Sequence, residues 1–142
     1  YLSFDTQKEA LLISSSALQW SLDLDFTFSW LSKKTKKAYF AIFTSSTFKT
    51  LHQIAKIDSP IYTEEQLKQS IEKYYNATYH THAYKLHFES TYEMLNYIKK
   101  SGVSGGEKKL TYVQVKKLIK EYPFDYLEFE VLFAEATSHY FA

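Results

Sequence analysis

Short apolar runs alternate with longer amphipathic segments along this chain. Leu11–Ile13 is an apolar run that ends in Ser14–Ser16, and apolar residues then recur at helical spacing through Leu31. A second apolar run, 38–43, ends in the hydroxyl residues 44–47. Short continuous apolar runs are typical of strands buried on both faces of a parallel sheet. The pattern therefore predicts a strand–helix–strand unit whose two hydroxyl-rich strand ends meet at one edge of the sheet, where ligands bind in such folds.

Three later helices are predicted from capping boxes, in which a hydroxyl residue precedes Glu or Gln by three positions. Thr63, Ser90 and Thr111 have this spacing, and an amphipathic segment follows each of them. Gly102 and Pro123 are expected to end the second and third of these helices.

Two further segments, Tyr84 to Phe88 and Leu127 to Phe133, alternate apolar with polar residues. A period of two predicts strands with one buried face, as in an antiparallel pair near a sheet edge. Opposite charges are expected to meet across this pair, Lys85 and His87 against Glu128 and Glu130. The whole pattern predicts an α/β fold in a single domain over residues 1–142.

The composition narrows the function classes. Seventeen basic and sixteen acidic residues give a net charge of +1, which disfavours a general nucleic-acid binder and leaves a lysine-rich RNA-binding module as a weak third alternative. All the basic residues are Lys, so bidentate Arg contacts to phosphate or carboxylate are excluded. The absence of Cys excludes disulfides and a Cys nucleophile and suits the reducing cytoplasm. No apolar run is long enough to span a bilayer, so no membrane partner is expected.

Few side chains suggest catalysis by motif. His80 and His82 share one face of a probable strand, but the sequence fixes no third ligand, so surface histidines are favoured over a metal site. His52 has no Ser or Cys partner by motif, which favours a structural role. Ser14–Ser16 has no flanking Gly of a nucleophile elbow. Trp20 either packs against a helix or lines a pocket, and no catalytic residue is predicted.

Three motifs, taken in order, carry a resemblance to a known family: Ser14 to Trp20, Thr44 to His52 and Ser59 to Tyr62. They resemble the malonyl-acyl-carrier-protein O-methyltransferases of biotin synthesis, the BioC family. The resemblance continues through 92–106 and 110–111 to the strand 127–133, and so covers nearly the whole chain from about Leu11.

The resemblance implies the carboxyl-terminal part of a Rossmann-like class I methyltransferase sheet, with parallel strands, a terminal antiparallel pair and a helical lid insertion over about 47–76. The implied cofactor is S-adenosylmethionine, and the implied reaction methylates the free carboxylate of malonyl-acyl carrier protein. Ser14 and Ser15 are the implied cofactor-binding residues. The implied substrate pocket consists of Gln19, Trp20, Thr47 and Phe48. The implied carrier-docking residues are Lys33, Lys34, Lys36, Lys37 and Lys49, although a solvated helix end is the simpler interpretation of 33–37.

This sequence also departs from the family pattern. The Gly-rich loop and the acidic ribose-binding residue would both precede the segments seen here, and Asp5 lies unusually close to Ser14 to be the acidic residue near the adenine. Ser46 stands where the family often has Gly, and Thr50 where it often has Glu. We therefore expect a leading segment to be missing, the S-adenosylmethionine site to be incomplete in this chain alone, and the Leu11–Ile13 edge to need cover from that segment or from a partner. The alternative function is a non-catalytic carrier-protein-binding module derived from such a methyltransferase.

Overall fold

The computed structural model describes residues 11–15, 17–101 and 110–141, so Asp5, Ser16 and Gly102 lie outside the described residues. The strands are β1 (Leu11–Ser15), β2 (Lys37–Phe43), β3 (Tyr75–His87) and β4 (Tyr126–Ser138). The helices are α1 (Leu24–Ser32), α2 (Lys49–Ala55), α3 (Glu64–Tyr74), α4 (Thr91–Ser101) and α5 (Tyr112–Glu121). Single 3-10 turns occupy Leu18–Trp20 and His139–Phe141.

The four strands form one mixed sheet in the order β1-β2-β4-β3. β1 and β2 are parallel, with Ser15 beside Ala41, and β2 and β4 are antiparallel. Two contacts show that β3 runs antiparallel to β4. The Tyr84 ring stacks on Phe129, and the Phe88 N–H, later in β3's direction, donates to the Asp125 carbonyl, which comes earlier than Phe129 in the chain. The predicted α/β class, the parallel pair and the later antiparallel pair are therefore confirmed.

The charge pairs expected between β3 and β4 do not form. The His87 Nδ1 lies 3.2 Å from Asp125, and the Lys85 Nζ lies 4.5 Å from the centre of the Tyr126 ring. The Glu128 carboxylate instead accepts hydrogen bonds from the N–H and the hydroxyl of Thr50. The prediction was wrong because a neighbouring helix supplies the donors to Glu128, which a pattern confined to the two strands does not contain.

The chain divides into two compact units. Unit 1 contains the described parts of 1–44, 62–82 and 131–142, and unit 2 contains those of 45–61 and 83–130. The long strand β4 has residues in both units, and the alternation of its buried and exposed residues shifts by one position along the strand. Leu127, Phe129 and Val131 are buried in one phase, and Leu132 and Ala134 begin the other.

In unit 1, α1 and α3 cover one face of the sheet. Phe28 from α1, Phe40 from β2 and Tyr75 from β3 are fully or almost fully buried and meet edge to face, with ring centres 5.3 to 6.5 Å apart. The two helices are also joined by Asp25, whose carboxylate accepts a 2.6 Å hydrogen bond from Ser70 and another from Lys73. These bonds lower the pKa of Asp25, the Lys73 bond most.

The other face of this part of the sheet is exposed, and we call it the open face. Its residues are Leu11, Ile13 and Ser15 of β1, Lys37, Tyr39 and Ala41 of β2, and Phe133 and Glu135 of β4. Leu11 is 52% and Ile13 70% exposed. The expectation that both apolar runs are buried on two faces is therefore wrong, because α1 and α3 lie on the same side. Among the described strands, β1 lies at one edge of the sheet.

The local sequence signals predict the described helix ends correctly, with one exception. Thr63 and Thr111 form complete capping boxes with Gln66 and Gln114, and the Ser90 hydroxyl accepts from the Glu93 N–H. α5 ends before Pro123, as predicted. The helix start that the sequence predicts near Asp23 and Asp25 is confirmed, because Asp23 is the N-cap of α1. The exception is the apolar segment between Ser16 and Asp23, whose helical spacing gives only a 3-10 turn followed by a break. Leu22 lies in the break and is fully exposed.

Unit 2 is built around one end of the antiparallel pair. α5 packs against α2 and α4, and their buried residues include Leu51, Met94 and Leu118. Phe48 and Phe129 meet with ring centres 5.2 Å apart.

Candidate functional site

The open face carries a depression of about 470 Å³, which lies entirely within unit 1. Its shape follows from the register of the strands. One row across the sheet is Ile13, Tyr39 and Glu135, and the next is Ser15, Ala41 and Phe133. The small side chains of Ser15 and Ala41 leave space between the larger rings of Tyr39 and Phe133. β3 completes the wall with Thr78, Tyr79 and His80.

Polar groups converge on this depression from three strands. The Tyr39 hydroxyl donates to the Glu135 Oε1 at 3.3 Å, and the negative charge of Glu135 raises the pKa of Tyr39. The His80 ring stacks on Phe133, with centres 6.4 Å apart. The depression thus combines stacking surfaces with a phenol, a carboxylate and an imidazole, which suits binding of a flat or apolar group.

His80 and His82 do share one face of an edge strand, with ring centres 6.5 Å apart. Within the described residues, no group of three or more His, Cys, Asp or Glu side chains could hold a metal ion.

Within unit 1, only some of the residues predicted to share one pocket line the depression. Ser14 and Ser15 end β1 and line the depression. Gln19 and Trp20 lie on the 3-10 turn and do not line it; Gln19 is buried and Trp20 is 42% exposed.

Thr47 and Phe48 lie in unit 2 and are almost completely buried. The Thr47 hydroxyl donates to the Glu130 carbonyl and accepts from its N–H, which ties the loop before α2 to β4. Phe48 adopts a left-handed backbone with φ of 60°, uncommon for a bulky residue, and its N–H donates to the Glu128 carbonyl at 2.8 Å. Both residues therefore have packing roles, and the predicted lid segment is divided between 45–61 in unit 2 and α3 in the core of unit 1.

The predicted docking lysines belong to both units. Lys33 caps the carboxyl end of α1, and Lys34 lies over the Trp30 ring with its Nζ 4.8 Å from the ring centre. Lys36 and Lys37 are exposed, and Lys37 belongs to the open face. Lys49 begins α2 in unit 2. Four of the five predicted docking lysines therefore lie together at one end of the unit 1 sheet.

Sequence reasoning missed Tyr39, Phe133 and Glu135. One signal was present: Phe133 and Glu135 alternate with Ala134 and Ala136, which indicates a strand whose small residues face a core and whose large residues do not. Tyr39 gave no such signal, because it lies inside a continuous apolar run.

The described lining can be tested against S-adenosylmethionine, the cofactor that the resemblance implies. This molecule presents a base, two ribose hydroxyls and an amino acid group with both charges. The lining offers the hydroxyls of Ser14 and Ser15, but its single carboxylate, Glu135, accepts from Tyr39, and it has no lysine. The described lining residues therefore do not fit the whole cofactor.

No protein-family model matches the chain, and a search of curated proteins found no match. None of the described helices is long and apolar enough to cross a membrane.

Proposed function

We propose that this chain takes part in S-adenosylmethionine-dependent methylation of the free carboxylate of malonyl-acyl carrier protein. The observation that carries the proposal is the sheet. Two parallel strands joined through a helix are followed by an antiparallel pair whose last strand lies beside β2. This combination of parallel strands and a terminal antiparallel pair, in this chain order, is what the resemblance to the BioC family implies.

The place of the serines supports the same reaction class. Ser14 and Ser15 come at the carboxyl end of a parallel strand, where ligands bind in open α/β sheets. Their hydroxyls can hold a polar group at the rim of the depression without providing a base.

The chemistry needs no base. A carboxylic acid with a pKa near 4 is ionised at pH 7, so no proton has to be removed before the oxygen attacks a methyl group. The protein contributes by aligning the reactants and excluding water.

The lysine cluster supports a carrier protein as the partner. Carrier proteins are acidic, and Lys33, Lys34, Lys36 and Lys37 concentrate positive charge at one end of the unit 1 sheet. Electrostatic attraction of this kind speeds encounter and fixes orientation more than it adds affinity.

One observation favours a second candidate, a non-catalytic module that binds the carrier protein. The incomplete fit of the lining to S-adenosylmethionine is expected for a protein that kept the docking surface and lost the cofactor site. The two functions share the partner and differ in whether a methyl group is transferred.

The test combines binding and transfer. The protein is mixed with malonyl-acyl carrier protein and S-adenosylmethionine labelled in its methyl group, and both binding and label on the carrier are measured. The double variant Lys36→Glu/Lys37→Glu should weaken binding several-fold, while the matched double variant Lys116→Glu/Lys120→Glu on α5 should not. Binding without label would favour the non-catalytic module, and the absence of both would reject both functions.

A further inference from the structure

The described lining of the depression contains one carboxylate and no lysine. The carboxylate belongs to Glu135, which is exposed and accepts a hydrogen bond from the Tyr39 hydroxyl at 3.3 Å. Among the described residues, no lysine or histidine nitrogen lies within 4.0 Å of this carboxylate, so no ion pair neutralises it there. When the His80 imidazole is neutral, the lining therefore has a net negative charge and attracts a positively charged group.

Two aromatic rings flank this carboxylate. Tyr39 of β2 lies opposite Glu135 of β4. The next pair on the same face is Ala41 and Phe133, so the two rings stand at opposite corners of a four-residue block. Tyr39 is 42% and Phe133 43% exposed, and the small side chain of Ala41 leaves space between the rings. Because the face of an aromatic ring attracts a cation within about 6 Å of its centre, a cation above Ala41 would meet both rings and the carboxylate.

The polar groups of this face distinguish the depression from a hydrophobic core. On the opposite face, which α1 and α3 cover, β2 and β4 present only apolar residues, namely Ala38, Phe40, Ile42, Leu132, Ala134 and Ala136. The depression instead contains the Glu135 carboxylate and the His80 imidazole. Burying an unpaired carboxylate in a core is costly. The lining is therefore suited to a charged molecule and not to an apolar segment.

We propose that the depression binds the quaternary ammonium group of a small organic cation. Such a group carries its positive charge on alkyl groups and has no N–H, so it needs ring faces and a nearby negative charge but no hydrogen-bond acceptor. This requirement matches a lining whose carboxylate already accepts from Tyr39. The volume of about 470 Å³ lies within the range of small-molecule sites and leaves room for the rest of the ligand.

The affinity should be modest because the site is open to water. Cation–π contacts at exposed positions are weak, and dissolved salt screens the attraction of an exposed carboxylate. We therefore expect a dissociation constant in the millimolar range that rises with ionic strength.

Choline and its uncharged isostere, in which carbon replaces the ammonium nitrogen, separate the effect of charge from that of shape. Each compound is titrated into the protein while the backbone amide NMR signals of Ala41 and Phe133 are followed. Choline should shift these signals saturably, with a dissociation constant at least threefold lower than that of the isostere. Equal constants would overturn the role of charge, and the absence of a saturable shift with choline would overturn the site.

Matched variants test the two contributions separately. Glu135→Gln removes the charge and keeps the shape, and Phe133→Leu removes one ring face; each should weaken choline binding at least threefold. Glu65→Gln, exposed on α3, makes the same change in net charge, and Phe26→Leu, at a site 69% exposed on α1, removes a ring elsewhere in unit 1. These two controls should bind choline like the native chain, with circular dichroism to confirm that all four variants fold.

Unchanged choline binding in Glu135→Gln or in Phe133→Leu would overturn the proposal. The titrations contain neither S-adenosylmethionine nor carrier protein, so their outcome is independent of the proposed methyl transfer.

Discussion

Removal of one buried hydroxyl should stabilise unit 1. Tyr75 is 1% exposed and lies edge-on to Phe28 and Phe40, and its hydroxyl is buried without a hydrogen-bond partner among the described residues. The same burial raises the pKa of Tyr75, because the tyrosinate would be desolvated. Tyr75→Phe keeps the ring and its packing and removes only the unpaired hydroxyl.

The expected gain follows from the cost of burying a polar group. An unsatisfied buried hydroxyl costs about 1 to 3 kcal/mol, and the small void left by its removal returns part of this cost. We expect Tyr75→Phe to raise the free energy of unfolding by about 1 kcal/mol. For a chain of this size, that gain corresponds to a rise in Tm of about 3 °C.

Urea denaturation followed by circular dichroism measures this gain, and the chain offers a matched control. Tyr62 is also in unit 1, but its hydroxyl donates to the Ser21 carbonyl, so Tyr62→Phe should lower the free energy of unfolding by about 1 kcal/mol. The two identical chemical changes should have opposite signs. If Tyr75→Phe destabilises the protein as much as Tyr62→Phe does, the Tyr75 hydroxyl has a partner and the reasoning fails.

Three further predictions concern unit 2 and the helix ends. Thr50→Val should cost about 1 to 2 kcal/mol of unfolding free energy, since it removes a 2.9 Å hydrogen bond to Glu128; an unchanged urea midpoint would contradict this. Burial lowers the pKa of His52 from its ordinary 6.5 despite the charge of Glu128, so the unfolded chain binds the proton first. Stability should therefore fall as the pH drops below about 6.5, and His52→Gln should reduce that fall; equal pH profiles would refute it. Thr63→Ala and Thr111→Ala should each cost about 1 kcal/mol in urea denaturation, and a loss that Thr→Ser also produces would argue against capping.

Features that depend on neighbours along the chain could be predicted from the sequence. The capping boxes at Thr63 and Thr111 depend on four consecutive residues, and both formed as expected. The parallel pairing of β1 and β2 followed from two apolar runs separated by a helix. These signals are local, so one sequence contains them in full.

Features that depend on distant residues could not be predicted. β3 begins at Tyr75 directly after α3 and runs for 13 residues, whereas the sequence predicts only parts of it as strand, around His80 and His82 and from Tyr84 onward. The start at Tyr75, inside the predicted helical insertion over about 47–76, depends on packing against β4, which is distant in sequence. The depression likewise depends on the register that puts Tyr39 beside Glu135, residues 96 positions apart.

The most direct measurement for the proposed function is transfer of a labelled methyl group from S-adenosylmethionine to malonyl-acyl carrier protein. Two carriers are compared, one with the free malonyl carboxylate and one in which that carboxylate is already a methyl ester. We predict label only on the carrier with the free carboxylate, and the label should be released by mild alkali because a methyl ester hydrolyses. No label above the protein-free control, or equal label on both carriers, would contradict methylation of the malonyl carboxylate.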